Sequence, residues 1–156
     1  MGDIIFKKEC CIICGILCND YLCNRHKRVY RYIKEYNFFA IKPYRSISKP
    51  QNMLYKHIRD LYGKPTYQEC TFSWNIYSRY DIVVPDRNII VEFDGRQHFV
   101  YTALFHKTYD NFVREQEKEK IKQKIAEEAG YKVIRFSYIE KIKDIDYIKK
   151  KLKMKK

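Results

Sequence analysis

The stretch RYDIVVPDRNIIVEFDGRQHF, Arg79–Phe99, reads as two apolar strands joined by a turn, with carboxylates set inside both strands. Pro85-Asp86-Arg87-Asn88 supplies the turn chemistry. A loop centred between Asp86 and Arg87 pairs Val84 with Ile89, Ile82 with Val91 and Tyr80 with Phe93. Because side chains alternate across a strand, these six make one apolar face. The other face pairs Val83 with Ile90, Asp81 with Glu92 and Arg79 with Asp94. Asp81 and Glu92 are then cross-strand neighbours with Cβ atoms roughly 5 Å apart, where like charges repel. A divalent cation between them removes the conflict, and hard oxygen ligands suit Mg²⁺ or Mn²⁺. The competing explanation is a salt-bridged polar edge in which Arg79 neutralises Asp94. Gly95 breaks the second strand, and Gln97 and His98 follow. A histidine beside three acids can orient or deprotonate a water, or protonate a leaving oxygen.

Outward from this hairpin the chain divides into three zones. Residues 1–28 are a cysteine-rich head, 29–49 a basic, aromatic connector, and 50–156 a compact unit with a lysine-rich end. Ser48-Lys49-Pro50 suits a helix start, and Gly63-Lys64-Pro65 a stop. Between them Leu54, His57 and Leu61 share a side. Strands are expected at 68–73, 79–84 and 88–93. Gly95–Tyr109 reads as an irregular aromatic loop. Asn111–Ala129 reads as a helix with Ile121, Ile125 and Ala129 on one face and Gly130 as its stop. YKVIRFSY, Tyr131–Tyr138, alternates as a strand. A last helix over 142–152 puts Ile142, Ile145, Ile148 and Leu152 on one stripe. Strands mixed with helices in this order predict an α/β or α+β fold, a mixed central sheet flanked by helices.

The 156 residues carry a formal net charge of +13 and are rich in tyrosine and phenylalanine, which excludes a disordered chain and favours a polyanionic partner. No apolar run approaches the ~20 residues of a spanning helix, so no membrane is expected. Met1–Lys8 has no apolar core of a signal peptide. An intracellular place, cytoplasm or a eukaryotic nucleus, is expected, where clustered cysteines point to metal or free thiols rather than disulfides.

Five of the six cysteines fall between Cys10 and Cys23. Cys11, Cys14, Cys23 and His26 have the C-x2-C-x8-C-x2-H spacing of a tetrahedral zinc site, and Gly15 permits a knuckle turn. Cys10 could replace Cys11, and Cys18 could replace His26. Such a site folds a segment too short for its own core and presents Arg25, Lys27, Arg28 and Arg31 to phosphates. The tail, with Lys149, Lys150 and Lys151 at its start, is a second nonspecific phosphate-seeking element, or a solvated end.

Asp81, Glu92-Phe93-Asp94-Gly95, Gln97-His98, a helix with an acid and a lysine, and YKVIRFSY together resemble the PD-(D/E)xK nuclease superfamily. The similarity is to the branch of very-short-patch-repair and EDxHD homing endonucleases, over about Ser48–Leu152. EFDGRQHF is its specific part. The resemblance implies a restriction-endonuclease-like core and metal-dependent hydrolysis of DNA phosphodiesters in repair, homing or restriction. It makes Asp81 and Glu92 the Mg²⁺ (or Mn²⁺) ligands, His98 the family histidine and Asp94 an orienter or further ligand. Glu119 and Lys122 take the places of the acid and the cation on the charged helix; their bland reading is a solvated pair. Gln51 stands where the branch carries an acid on an early helix. Glu69 is a candidate to supply that missing charge. Gln51 also supports the rival reading, a nucleic-acid-binding protein that keeps the fold without catalysis. An RNA or branched-DNA nuclease is a third.

Overall fold

A computed structural model describes residues 10–42, 47–63 and 65–154. Six strands, β1 (Tyr30–Ile33), β2 (Phe38–Ile41), β3 (Tyr67–Phe72), β4 (Asn75–Val84), β5 (Ile89–Asp94) and β6 (Lys132–Ser137), lie side by side in chain order. All neighbours are antiparallel except β5 and β6. That parallel pair needs a crossover, made by α3 (Ala103–His106) and α4 (Tyr109–Glu128). A short α1 (Asn24–Lys27) precedes β1, α2 (Lys49–Tyr62) joins β2 to β3, and α5 (Ile145–Lys151) follows β6. The chain is therefore α+β, a mixed sheet with helices on both faces.

The turn that decides this arrangement is a 3-10 turn at Pro85–Arg87 with Asn88 left-handed at φ 51°. It fixes Val84 opposite Ile89 and Ile82 opposite Val91, the register expected from the sequence. Ile82, Val84 and Val91 bury against Leu54 and Ile58 of α2, Ile148 of α5 and Leu152 at its C-cap. Val83 and Ile90 bury on the other face with Ala126 of α4.

Tyr80 departs from its expected face. It packs with Val83 and Ile90, beneath α4, not with Ile82. The ladder to β5 runs only from Ile82 to Val84, so the strict alternation that the sequence implies does not reach it. Its hydroxyl donates to the carbonyl of Lys122 at 3.0 Å and accepts from the Asn75 amide at 3.0 Å, which fixes it under the helix.

Ser48 caps α2, its hydroxyl accepting from the Gln51 amide, and Gly63 closes the helix at φ 74°. Lys64 of the expected stop lies outside the described residues, as do 1–9, 43–46 and the final two lysines. The buried stripe of α2 is Gln51, Leu54 and Ile58, and His57 is only partly covered. In α4 the buried residues are Phe112 and Ala126, while Ile121 is exposed. The inward side of α4 passes over a polar cavity, so Glu119 and Lys122 take the positions that an apolar stripe would fill elsewhere.

The stretch 29–49 is more than a connector. Its Tyr30–Ile33 and Phe38–Ile41 form a hairpin through a 3-10 turn with Asn37 left-handed at φ 53°. β2 then pairs with β3, Phe38 opposite Phe72. Head residues Cys11 and Leu22 bury against Tyr30 and Phe39 of this hairpin.

Glu140 ties α5 to the end of β6. It accepts from the Ser137 amide at 2.6 Å, the Tyr147 hydroxyl at 2.6 Å and the Lys151 ammonium. Burial alone would raise its pKa; hydrogen bonds from Lys151, Tyr147 and Ser137 outweigh that and hold it at about 2. A depressed acid adds stability above its unfolded value of about 4.3 and loses it as pH falls through the folded value. Glu140→Gln is expected to lower the unfolding free energy by about 2 kcal/mol at pH 7. In denaturant titrations the gap to wild type should shrink from about pH 4 towards pH 2. An equal gap at pH 7 and pH 2.5 contradicts this account.

Candidate active site and metal cluster

Asp81 and Glu92 meet where the β4–β5 ladder stops. The Asp81 amide donates to Glu92 Oε1 at 3.3 Å, and the Phe93 amide donates to Asp81 Oδ2 at 2.8 Å. Each carboxylate thus bonds the other's strand in place of the missing rung. Burial, then the charge of Glu92, pushes the Asp81 carboxyl well above the usual range. Burial also raises Glu92, and Lys122 opposes that rise. Two adjacent acids resist ionising together, and as hard-oxygen donors they could hold a divalent cation.

Lys122 reaches down from α4 to Glu92 Oε2 at 2.8 Å and lies over the Tyr80 ring, 5.0 Å from its centroid. Its side chain is only 12% exposed, so it is no solvated surface pair with Glu119, which stands 3.9 Å away. Burial disfavours its charge, but Glu92, Glu119 and Asp81 more than offset this and raise its pKa.

Asp94 is neutralised by Arg135 of β6, not by Arg79. The guanidinium grips Asp94 through Nε at 2.7 Å and a second nitrogen, and reaches Glu119 at 2.9 Å. Arg79 instead donates to the Tyr30 hydroxyl at 2.9 Å and pairs with Glu69 at 3.7 Å. His98 stands at the cavity edge, its Nδ1 3.9 Å from Asp94. Asp94, His98 and Glu119 bring their donor atoms within 4.8 Å of one another. Arg135 already occupies both of those carboxylates, as Lys122 occupies Glu92.

Gln51, on the first turn of α2, donates through its amide nitrogen to Glu69 Oε1 at 2.7 Å. Gly95 makes room for the Gln97 amide, which lies where a Cβ at that position would fall. One cavity of about 400 Å³ is lined by Gln51, Asp81, Glu92, Asp94, Gln97, His98, Glu119 and Lys122. Every side chain that the sequence nominated for catalysis therefore faces the same space. Glu69 lies outside it, in the neighbouring cleft with Ser48, Gln51 and Arg79.

Two site residues escaped the sequence reading. Arg135 interrupts an apolar strand as Asp94 does, and a charge inside a buried strand was its signal. Tyr80 was read only as core, with no signal for its contact to Lys122.

At the head, Gly15 at φ 73° lets its amide return to the Cys11 carbonyl at 2.8 Å, building the knuckle. The donor atoms of Cys11, Cys14, Cys23 and His26 all lie within 4.8 Å of one another. Cys11 and Cys23 sulfurs are 3.3 and 3.4 Å from His26 Nδ1, and the Cys14 and Cys23 sulfurs are 4.0 Å apart. Tetrahedral zinc with bonds of about 2.0–2.3 Å gives edges of about 3.5–3.8 Å, so these four could hold zinc. Burial opposes ionisation of the Cys11 thiol, but the Cys23, Ile13 and Cys14 amides and the His26 ring bring it down to about 6. Cys10 and Cys18 stand apart from this cluster, and the Cys18 thiol donates to the Asp20 carbonyl.

Of the basic residues expected to meet phosphates, Arg25, Arg28 and Lys150 are exposed, and Arg31 lies over the Tyr67 ring. Lys27 pairs with Asp20, Lys149 with Asp146 and Lys151 with Glu140, which lessens their part in any positive patch. Among the described residues no helix is long and apolar enough to cross a membrane. Comparison with protein-family models, with curated proteins and with solved structures gives no match.

Proposed function

We propose that this chain is a metal-dependent endonuclease that hydrolyses DNA phosphodiester bonds, built on a restriction-endonuclease-like core with a zinc-bearing head. The observation that carries this reading is the single cavity that gathers two mutually opposed acids, one buried and one partly buried, a largely covered lysine and a histidine from separate elements. Asp81 and Glu92, with the Gln51 amide oxygen, would hold Mg²⁺ or Mn²⁺. When bound there, such an ion supplies Lewis-acid polarisation of the phosphate and makes a water more acidic.

The chain's own groups do the rest. Lys122 is held cationic at Glu92 and offers positive charge to a phosphate entering the cavity. His98 takes or gives a proton at its imidazole, within reach of solvent. Arg135 clamps Asp94 and Glu119 and so fixes the wall beside His98. The head and the exposed arginines add affinity for the backbone of the nucleic acid, lost steeply with added salt.

The test is incubation of the zinc-loaded protein with linear, supercoiled, mismatched and branched DNA, and with RNA, with and without divalent metal. Metal-dependent nicking or cleavage of plasmid DNA is expected. Gln51, neutral where the resembling nucleases carry an acid, favours the second reading of a binder without catalysis. Tight, salt-sensitive binding with no cutting of any substrate at any metal selects that reading. Cutting of RNA or junctions alone selects the third.

A further inference from the structure

The contact between Gln51 and Glu69 reaches beyond filling space. Glu69 sits between Gln68, opposite Ile82, and Cys70, opposite Tyr80, which sets it across from Asp81. Its backbone is left-handed at φ 49°, a conformation that a glutamate adopts only when its surroundings impose it. One carboxylate oxygen accepts from the Gln51 amide nitrogen at 2.7 Å. The other faces Arg79 at 3.7 Å. Arg79 is anchored in turn on the hydroxyl of Tyr30, whose ring stands edge-on to that of His26 in the zinc-type cluster. An ionised carboxylate accepts hydrogen bonds and donates none. The nitrogen end of the Gln51 amide is therefore the end turned to Glu69, and the oxygen end is turned away from it.

We infer that Glu69 is a positioning residue: it fixes the Gln51 amide with its oxygen presented to the cavity, as a neutral third ligand beside Asp81 and Glu92. The inference rests on the proposed reading of that cavity as a divalent-metal site. It assigns the missing negative charge a different place from the one the sequence offered, because Glu69 acts through Gln51 and does not enter the cavity. It also predicts that Gln51→Glu alone restores little metal affinity. That substitution sets two carboxylates at one hydrogen-bond distance, where the native pair is donor and acceptor.

Mn²⁺ alone is the probe, titrated by calorimetry and by the paramagnetic resonance of the free ion into the zinc-loaded full chain. Glu69→Gly removes the carboxylate and suits the left-handed backbone, which offsets part of the lost bonds to Gln51 and Arg79, so the variant should still unfold cooperatively with a modestly lowered midpoint. Mn²⁺ affinity should nevertheless fall roughly tenfold or more, as for other residues that orient a metal ligand. The Mn²⁺ concentration for half-maximal cleavage should shift by the same factor. The exchange Gln51→Glu with Glu69→Gln restores the hydrogen bond with donor and acceptor reversed, and should bind Mn²⁺ at least as tightly as wild type. Unchanged Mn²⁺ affinity in Glu69→Gly overturns the inference, as does an exchange no tighter than Glu69→Gln alone. Wild type that binds Mn²⁺ at Asp81 yet cuts nothing defeats the nuclease reading and leaves Glu69's role measurable by calorimetry. Wild type in which Asp81→Asn does not change Mn²⁺ binding defeats both.

Discussion

Asp81→Asn is expected to abolish metal-dependent cleavage while making the metal-free protein more stable. Loss of one of two anionic ligands should reduce the rate by about a thousandfold, or roughly 4 kcal/mol of transition-state stabilisation. The stability gain follows from the sign of the pKa shift. The folded carboxyl of Asp81 lies well above its ordinary value, first through burial and then through Glu92. Such a group favours folding below its unfolded pKa, about 3.9, and works against it progressively as pH rises towards the folded value. An amide carries no charge to dehydrate, and its oxygen can still accept from the Phe93 amide. The melting midpoint of Asp81→Asn should therefore exceed that of wild type by a margin that widens from pH 4 upward. Mg²⁺ or Mn²⁺ should narrow the margin by stabilising wild type alone. Cleavage at the wild-type rate, or a variant less stable at pH 8 than at pH 4 relative to wild type, would remove the acid pair from the centre of the mechanism.

Loss of the metal at the head should be the largest structural perturbation. Cys14 is exposed and contributes little packing, so Cys14→Ser probes coordination without opening a cavity. Native mass spectrometry should find one zinc per chain, absent in Cys14→Ser. Structural zinc sites contribute on the order of 10 kcal/mol to folding the segments they organise. Without it, amide protection should vanish at Gly15 and Lys27, whose bonds to the Cys11 and Cys23 carbonyls belong to the knuckle. The hairpin of Tyr30–Ile41 should loosen next, because Tyr30 and Phe39 bury against Cys11 and Leu22. Protection at Val83 and Ile90 should persist, since their cover comes from Ala126 and Phe38. A metal-free head with full amide protection would contradict the site.

The sequence exposed the parts of this molecule whose causes are local. Pro85 and Asn88 declare the turn, the turn sets the register, and the register brings Asp81 to Glu92. Ser48 and Gly63 bound α2 by capping alone. Reading failed where a distant partner decides. The hairpin of Tyr30–Ile41 has strands of four residues, and only its pairing with β3 makes them a sheet edge. Ile121 lost to Lys122 because the charge of Glu92, thirty positions away, draws the helix face inward. Arg135 and Tyr80 join the site through an ion pair, a ring contact and hydrogen bonds that span the fold, which periodicity alone does not register.

The crossover that parallel pairing of β5 and β6 requires separates the site's acids from its cations along the chain. The two acids arise within one short hairpin, whereas Lys122 and Arg135 emerge from the ribosome much later. A nascent chain released before Tyr131 should be trapped by chaperones and cut readily by proteases. Resistance should come only once Ile148 and Leu152 have followed the last strand and covered the sheet.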